Sequence, residues 1–367
     1  MASPLVLVSN RVKNLDQYQQ EYVDDLAPRL DYIEIAQQLG GEISGYNLFN
    51  SIWYSWGRKI EKSIKLDLIE SIHTTFHLSR HNVVLSSSEK AAIPLAMFLS
   101  LVRRRMPHIV IAHHLSSINK IRLFRVWKLY HQFTHIICVC TAQADYAVKQ
   151  LGIPPANVDF IYDKVDHLFF RPQTLDDGGD YVLAVGQEQR DYDTLLKALS
   201  GTPLKLVVVD SSPWSTHVTN LSPGKGVTVL KNISYVALRS LYAGARLVVT
   251  PLRPVNYAAG ANAVLEAMAM AKPLIVSRTE GIRDYIIHGE TGLFVPPLDD
   301  KMLQDSILSL WDDAKMQKRL GENARQIVEE KMNLDIYVNH VVRIVQESTL
   351  SPYAKHDSQE GKGLSLV

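Results

Sequence analysis

The chain is expected to fold as two α/β halves, each a doubly wound parallel sheet with helices on both faces, and three observations carry that expectation. Its 367 residues suit roughly two domains at about 150 residues each. Short β-branched runs alternate with helical patterns from end to end, as crossover helices between parallel strands require. The polar stretch RPQTLDDGGD, with Pro172, Gly178 and Gly179, breaks the alternation near its middle and reads as a linker. A hydrophobic fraction of 46% with 21% charged residues excludes wholesale disorder and fibrous repeats.

In the first half the pattern predicts strands at Leu5–Val8, Tyr32–Ala36, Asn82–Ser86, Ile109–His113, His135–Cys140 and Val158–Ile161. In the second it predicts them at Tyr181–Val185, Lys205–Asp210, Val227–Leu230, Leu247–Thr250, Leu274–Ser277 and Leu293–Val295. The domains are expected at residues 1–172 and 173–349, with the last helix free to cross back to the first domain. Residues 350–367 lack a periodic apolar pattern and read as a flexible tail. Doubly wound halves bind ligands at the carboxyl ends of their strands, and two facing halves enclose a cleft, the expected site.

Lys and Arg number 39 against 38 Asp and Glu, so net charge offers no argument for a nucleic-acid partner. Cys138 and Cys140 lie two apart in an apolar run, which leaves no room for a disulfide between them and fits a reducing compartment. The longest apolar stretch, from Ala91 to Val102, contains Pro94 and falls short of the eighteen or so residues of a membrane span. A buried helix is expected there. The start, MASPLVLVSNR, lacks the basic and long apolar regions of a signal peptide. A cytoplasmic location is expected, with peripheral contact to an anionic membrane as an added expectation. That contact rests on Lys120, Arg122, Arg125 and Lys128 interleaved with Leu123, Phe124, Trp127 and Tyr130, with Arg103–Arg105 and Trp53–Lys65 adding charge. The same segment also suits a half-buried helix.

Three local patterns can carry chemistry. Between Thr250 and Pro297 a strand ends, the small residues Ala258, Ala259, Gly260 and Ala261 follow, and a helix opens near Asn262. Small residues let the backbone approach a ligand, and a helix start favours a phosphate. Glu266, about a turn in, offers lone pairs to sugar hydroxyls; a capped core helix fits the same letters. In VGQEQRDYDTLLKAL, Gly186 at a strand end permits a tight turn and Arg190 supplies a cation ahead of the next helix. In HIVIAHHLSSINK, His113 and His114 close a strand, where a neutral imidazole can hydrogen-bond a reacting hydroxyl. Strand alternation sends the two side chains to opposite faces, so one is expected to reach the ligand. No GxGxxG follows the first strand, no GxxxxGK[ST] is present, and the His and Cys residues lack zinc-ligand spacing.

The segments LEAMAMAKPLIVS and GIRDYIIHGETGLFVPP resemble the donor-site motif of retaining glycosyltransferases of family 4, enzymes of the two-domain GT-B fold. The resemblance implies two Rossmann-like domains, the second holding a nucleotide-sugar and the first the acceptor. Glu266 matches the second of two motif glutamates, associated with the donor ribose, and Ala258 stands at the first. Gly186 matches a Gly-Arg pair whose Arg is replaced by Gln187, and Arg190 falls near the position of a following Lys. An active-site His is implied at His114, with His113 in reserve, and Asn232 and Ile233 fall beside the nucleotide base. Val165, Asp166, Phe170 and Pro172 match the hinge segment. The implied donor-binding set is thus Gly186, Arg190, Ile233, Gly260, Asn262 and Glu266. The implied donor is a UDP-, GDP- or ADP-sugar, with no metal or other cofactor. The acceptor is a glycan, a lipid-linked molecule or a small molecule, in exopolysaccharide or cell-envelope synthesis. The rival expectations are a non-catalytic nucleotide-sugar-binding subunit and an epimerase of the same fold.

Overall fold

The computed structural model describes residues 3–9, 12–45, 61, 66–173, 179–210 and 226–350. In chain order its main elements begin with β1 (Ser3–Leu7), α1 (Leu15–Val23), α2 (Asp31–Leu39), β2 (Glu42–Ser44), α3 (Leu68–His77) and β3 (His81–Ser86). They continue with α4 (Glu89–Leu101), β4 (His108–Ala112), α5 (Ile118–Val126), β5 (His135–Cys138), α6 (Thr141–Lys149) and β6 (Val158–Phe160). The second series is β7 (Tyr181–Val185), α7 (Tyr192–Leu199), β8 (Lys205–Val209), β9 (Val227–Leu230), α8 (Tyr235–Gly244) and β10 (Leu247–Thr250). It closes with α9 (Ala261–Ala269), β11 (Leu274–Ser277), β12 (Leu293–Val295), α10 (Asp300–Asp312), α11 (Ala314–Lys331) and α12 (Leu334–Leu350).

The chain divides into two compact units. The first takes residues up to Gln17, Leu30–Ile161 and those from Val338 on; the second takes Tyr18–Arg29 and Tyr162–Tyr337. The second unit thus resumes at Tyr162, nine residues ahead of the linker expected from Arg171, and borrows a segment from near the N-terminus. The tail expected after residue 350 lies outside the described residues, as does Trp53–Lys65 apart from Glu61.

In the first unit one parallel sheet runs in the order β2-β1-β3-β4-β5-β6. The predicted strand at Tyr32–Ala36 is instead part of α2. Its alternating letters misled because Ile33 and Ala36, three apart, share a buried helical face, and the Gly40 N–H caps the last turn at Ala36 and Gln37. The edge strand is Glu42–Ser44. Strands β4 and β5 also stop short, at Ala112 and Cys138. Cys140 is therefore the N-cap of α6, and both cysteines are buried and in no disulfide.

The apolar stretch around Pro94 is the buried helix α4. Proline breaks the hydrogen bond to the Lys90 carbonyl, and the Asp67 N–H takes that carbonyl at 2.9 Å instead. Among the described residues no helix is long and apolar enough to cross a membrane. The basic segment at α5 is half-buried: Phe124 and Leu129 lie in the core, with Leu123, Trp127 and Tyr130 packed against it. Lys120 is turned inward, while Arg122, Arg125, Val126 and Lys128 remain exposed.

In the second unit the order is β12-β11-β10-β7-β8-β9, all parallel. Leu183, Val185 and Val248 face one core with α9, while Val182, Ala184, Leu247 and Val249 face another with α7 and α10. This strict alternation gives the sheet two apolar faces, as a doubly wound fold needs. Strand order reverses between β7 and β10, and the crevice outside their carboxyl ends is where such sheets bind ligands.

Candidate functional site

The two loops that leave this switch point are joined to each other. Asp191 N–H donates to Pro251 O at 3.0 Å, Arg253 N–H donates to Gln189 O at 2.9 Å, and Arg190 and Leu252 form an antiparallel bridge. The Tyr257 hydroxyl adds a bond to Glu188 Oε1 at 3.0 Å. The loops therefore behave as one frame.

Arg190 sits inside that frame, 8% exposed. Its Nε donates to Val185 O and its Nη1 to Glu188 O, both at 2.9 Å. Gly186 (φ 103°) and Gly260 (φ 86°) flank the guanidinium: a Cβ at the first would meet Nη2 at 2.5 Å, and one at the second Nη1 at 3.2 Å. Both glycines adopt a backbone conformation that side chains disfavour. Glycine is thus required twice over, by φ and by the cation.

Gly260 is also the N-cap of α9. Ala261 N–H turns back to Ala258 O, whereas the N–H groups of Asn262 and Ala263 meet no described acceptor. Glu266 follows one turn later, half-buried. The Tyr242 hydroxyl on α8 donates to its Oε2 at 2.9 Å, the hydrogen bond that the described residues give this side chain. Burial pushes the Glu266 carboxyl up to about 7, against the opposing pull of the Tyr242 hydrogen bond and the Arg190 charge. Ile233, just beyond β9, is half-buried against the core beside exposed Asn232.

Buried polar atoms that have no partner among the described residues gather at the same end of the sheet. They are Gln187 Oε1, both carboxylate oxygens of Asp210, Thr250 Oγ1 and Thr279 Oγ1. Among the described residues the Lys231 ammonium pairs with Asp210 at 3.5 Å. Buried polar groups are normally hydrogen-bonded, and those that are not call for an explanation. Sequence reasoning missed Asp210, Thr250, Thr279 and Tyr242. The available signal was that the first three are polar residues within two places of the end of an apolar strand.

The histidine pair belongs to the first unit. Glu89, at the start of α4 and 3% exposed, accepts from His114 N–H and lies 3.4 Å from Lys120 Nζ and 3.9 Å from His113 Nδ1. Lys120 Nζ also donates to His114 O at 2.8 Å. Gln143 Oε1 accepts from Leu115 and Ser116 N–H, fixing the rest of the loop. Burial alone would raise the Glu89 carboxyl, but Lys120, His113 and two backbone N–H groups outweigh it and hold it at about 2. The His113 side chain is 43% exposed.

Among the described residues no group of three or more His, Cys, Asp or Glu side chains can hold a metal ion. A cavity of about 350 Å³ lined by Tyr22, Asp25, Phe169 and Arg171 shares no residue with either cluster.

Residues 167–327 match the model of glycosyl transferases group 1. The chain is 27% identical over 151 residues to an alpha-D-kanosaminyltransferase of Streptomyces kanamyceticus, covering 40% of this chain and 38% of that protein. It is 22% identical over 285 residues to O-antigen chain mannosyltransferase C of Escherichia coli, covering 70% and 74%. This chain therefore spans under two fifths of the first relative's length. The crystal structure of Anabaena HepE in complex with UDP superposes with a TM-score of 0.67 at 15% identity, covering 94% of this chain and all of the other. The fold is GT-B, two Rossmann-like α/β domains.

Proposed function

Residues 167–327 belong to the glycosyl transferases group 1 family, and from that premise we propose that the chain moves a sugar from a nucleotide-sugar to an acceptor hydroxyl with retention of configuration. One observation carries the reading: Arg190 is locked between two positive-φ glycines at the switch point of the second sheet, beside a helix start and unpartnered buried polar atoms.

In this reading the donor diphosphate lies against Arg190 Nη2 and the N–H groups of Asn262 and Ala263. As the bond between the anomeric carbon and the diphosphate oxygen breaks, negative charge develops on the leaving group. A cation already fixed by two carbonyls stabilises that charge without reorganising. Glu266 Oε1 accepts from the donor ribose, and the base lies near Ile233. The acceptor hydroxyl oxygen forms the new bond to the anomeric carbon, and its proton passes to the departing diphosphate oxygen. The expected role of His114, or of His113, as the imidazole that hydrogen-bonds a sugar hydroxyl belongs to the same proposal.

The donor is a UDP-, GDP- or ADP-sugar; HepE was crystallised with UDP. The names of the relatives favour envelope or other polysaccharide acceptors, as in the O-antigen mannosyltransferase. Contact with anionic lipid remains part of the proposal, carried by the exposed Arg122, Arg125, Val126 and Lys128 together with exposed Arg103 and Arg105.

The test is acceptor-independent release of nucleoside diphosphate from UDP-glucose, GDP-mannose and ADP-glucose. Slow release from one donor, abolished in Arg190→Ala, is the expected result. Binding without release in the wild type favours the non-catalytic subunit, a reading motivated by Ala258 and Gln187. Absence of binding to every donor removes the transferase reading.

A further inference from the structure

Glu266 divides its two oxygens between two tasks, and the division has a cause outside its own helix. Tyr242 is wholly buried on α8, with its ring edge-on to Phe170 at 6.2 Å and 90°. Two acceptors face its hydroxyl: Glu266 Oε2 at 2.9 Å and Ala263 O at 3.3 Å. A tyrosine has one proton to donate, and the nearer acceptor is the one that can carry charge. The buried hydroxyl thus ties back one carboxylate oxygen and leaves the other for a further donor.

We propose that Tyr242 is a positioning residue of the donor site, orienting Glu266 and favouring its ionised, acceptor-only form. This rests on the donor-site reading of Glu266. A sugar hydroxyl gains more from a carboxylate than from a carboxylic acid, because a bond to an ionised acceptor is roughly twice as strong. Two groups act on the carboxyl besides burial: the Tyr242 hydrogen bond and the Arg190 charge both favour the charged form. Burial, and then the Glu266 charge, push the Tyr242 hydroxyl up, so it stays a protonated donor. Since Glu266 titrates at about 7, losing the hydrogen bond moves that midpoint upward and thins the ionised population at neutral pH.

The test measures binding of UDP-glucose, GDP-mannose and ADP-glucose by calorimetry from pH 5.5 to 9. Sugar nucleotides are used because, unlike free nucleoside diphosphates, they have no terminal phosphate titrating in that range. In the wild type, affinity for the bound donor rises as pH passes through about 7. Tyr242→Phe keeps the ring and is expected to weaken binding about tenfold near pH 7, as loss of a hydrogen bond to a charged group would. The loss should shrink toward pH 9 as the midpoint moves up. Glu266→Gln should flatten the profile, and Tyr242→Phe should then cost little more in the double variant, since coupled residues are not additive.

A wild-type profile in Tyr242→Phe, or losses that simply add in the double variant, overturns the proposal. If the wild type binds none of the three donors, the donor-site reading fails and the proposal with it. Melting temperatures of all variants separate loss of binding from loss of fold.

Discussion

Glu89 in the first unit and Glu266 in the second both sit near the start of a helix that follows a parallel strand, yet their carboxyl groups are held in opposite states. Glu89 is surrounded by donors and held at about 2, while Glu266 is pushed up to about 7 with one oxygen open. The first carries a charge that the fold has already neutralised and tied to a loop. The second carries a charge that the fold opposes and does not fully satisfy. A carboxylate held by fixed backbone and ammonium donors fixes structure; one left short of donors is poised for a ligand to supply them.

The largest test of this contrast is Glu89→Leu. It strands the Lys120 ammonium, whose side chain is only 15% exposed, and leaves the His114 N–H without its acceptor. Removing one partner of a buried pair costs about 3–5 kcal/mol, and urea unfolding should show a loss of that size. The native carboxyl lies below its unfolded value of about 4.5. Its stabilisation is therefore complete above pH 4.5 and lost as pH falls toward 2. The variant should show none of that acid dependence.

Glu266→Gln should act in the other direction. The native carboxyl is raised above its unfolded value, so its contribution is most favourable below pH 4.5 and erodes as pH rises through about 7. The amide escapes that penalty. The variant should be more stable than the wild type by about 2 kcal/mol at pH 8, equal to it near pH 5, and poorer at binding sugar nucleotides. A variant that is less stable at pH 8 removes the claim that the fold opposes this charge.

Gly260→Ala comes next, at about 1–2 kcal/mol. A left-handed backbone costs roughly 1 kcal/mol or more for a side chain, and the new Cβ lies 3.1 Å from Thr250 Cγ2 and 3.2 Å from Arg190 Nη1. Because the guanidinium is pinned by two carbonyls, it yields only by breaking a hydrogen bond. Donor binding should fall further than the melting temperature alone accounts for.

Both sheets were legible because parallel strands buried on two faces are near-continuous apolar runs, and eleven of twelve expected strands fall on observed ones within a residue or two. Tyr32–Ala36 failed because five letters of alternating hydrophobicity satisfy a helix as well as a strand. Strands at His113 and Cys140 ran long because the letters do not mark where an apolar strand gives way to a loop. At the site, Gly186, Arg190, Gly260 and Glu266 were readable from their loops, and the structure brings them to one switch point. Tyr242 was not readable, since it lies more than twenty residues from its partner and looks like any aromatic of an amphipathic helix. Asp210 follows its strand as an ordinary polar letter; what distinguishes it is that, among the described residues, its buried carboxylate oxygens have no hydrogen-bond partner.

The smallest expected effect on the fold is also the one that separates the two histidines. The His113 ring stands 3.9 Å from Glu89 Oε2 with a 43% exposed side chain, beyond hydrogen-bond length and open to solvent screening. Lys120 and the His114 N–H continue to hold Glu89 without it, so His113→Asn should change stability by no more than about 0.5 kcal/mol. Any loss of donor turnover in that variant is then chemical rather than structural. The His114 backbone is tied at both its N–H and its carbonyl, to Glu89 and Lys120, and those ties survive His114→Asn because they do not involve the side chain. Measured side by side for acceptor-independent release of nucleoside diphosphate, the two variants should differ by tenfold or more, with His114→Asn the slower. Equal rates would mean that neither imidazole reaches the reacting sugar, and a slower His113→Asn would move the role to the ring that already faces Glu89.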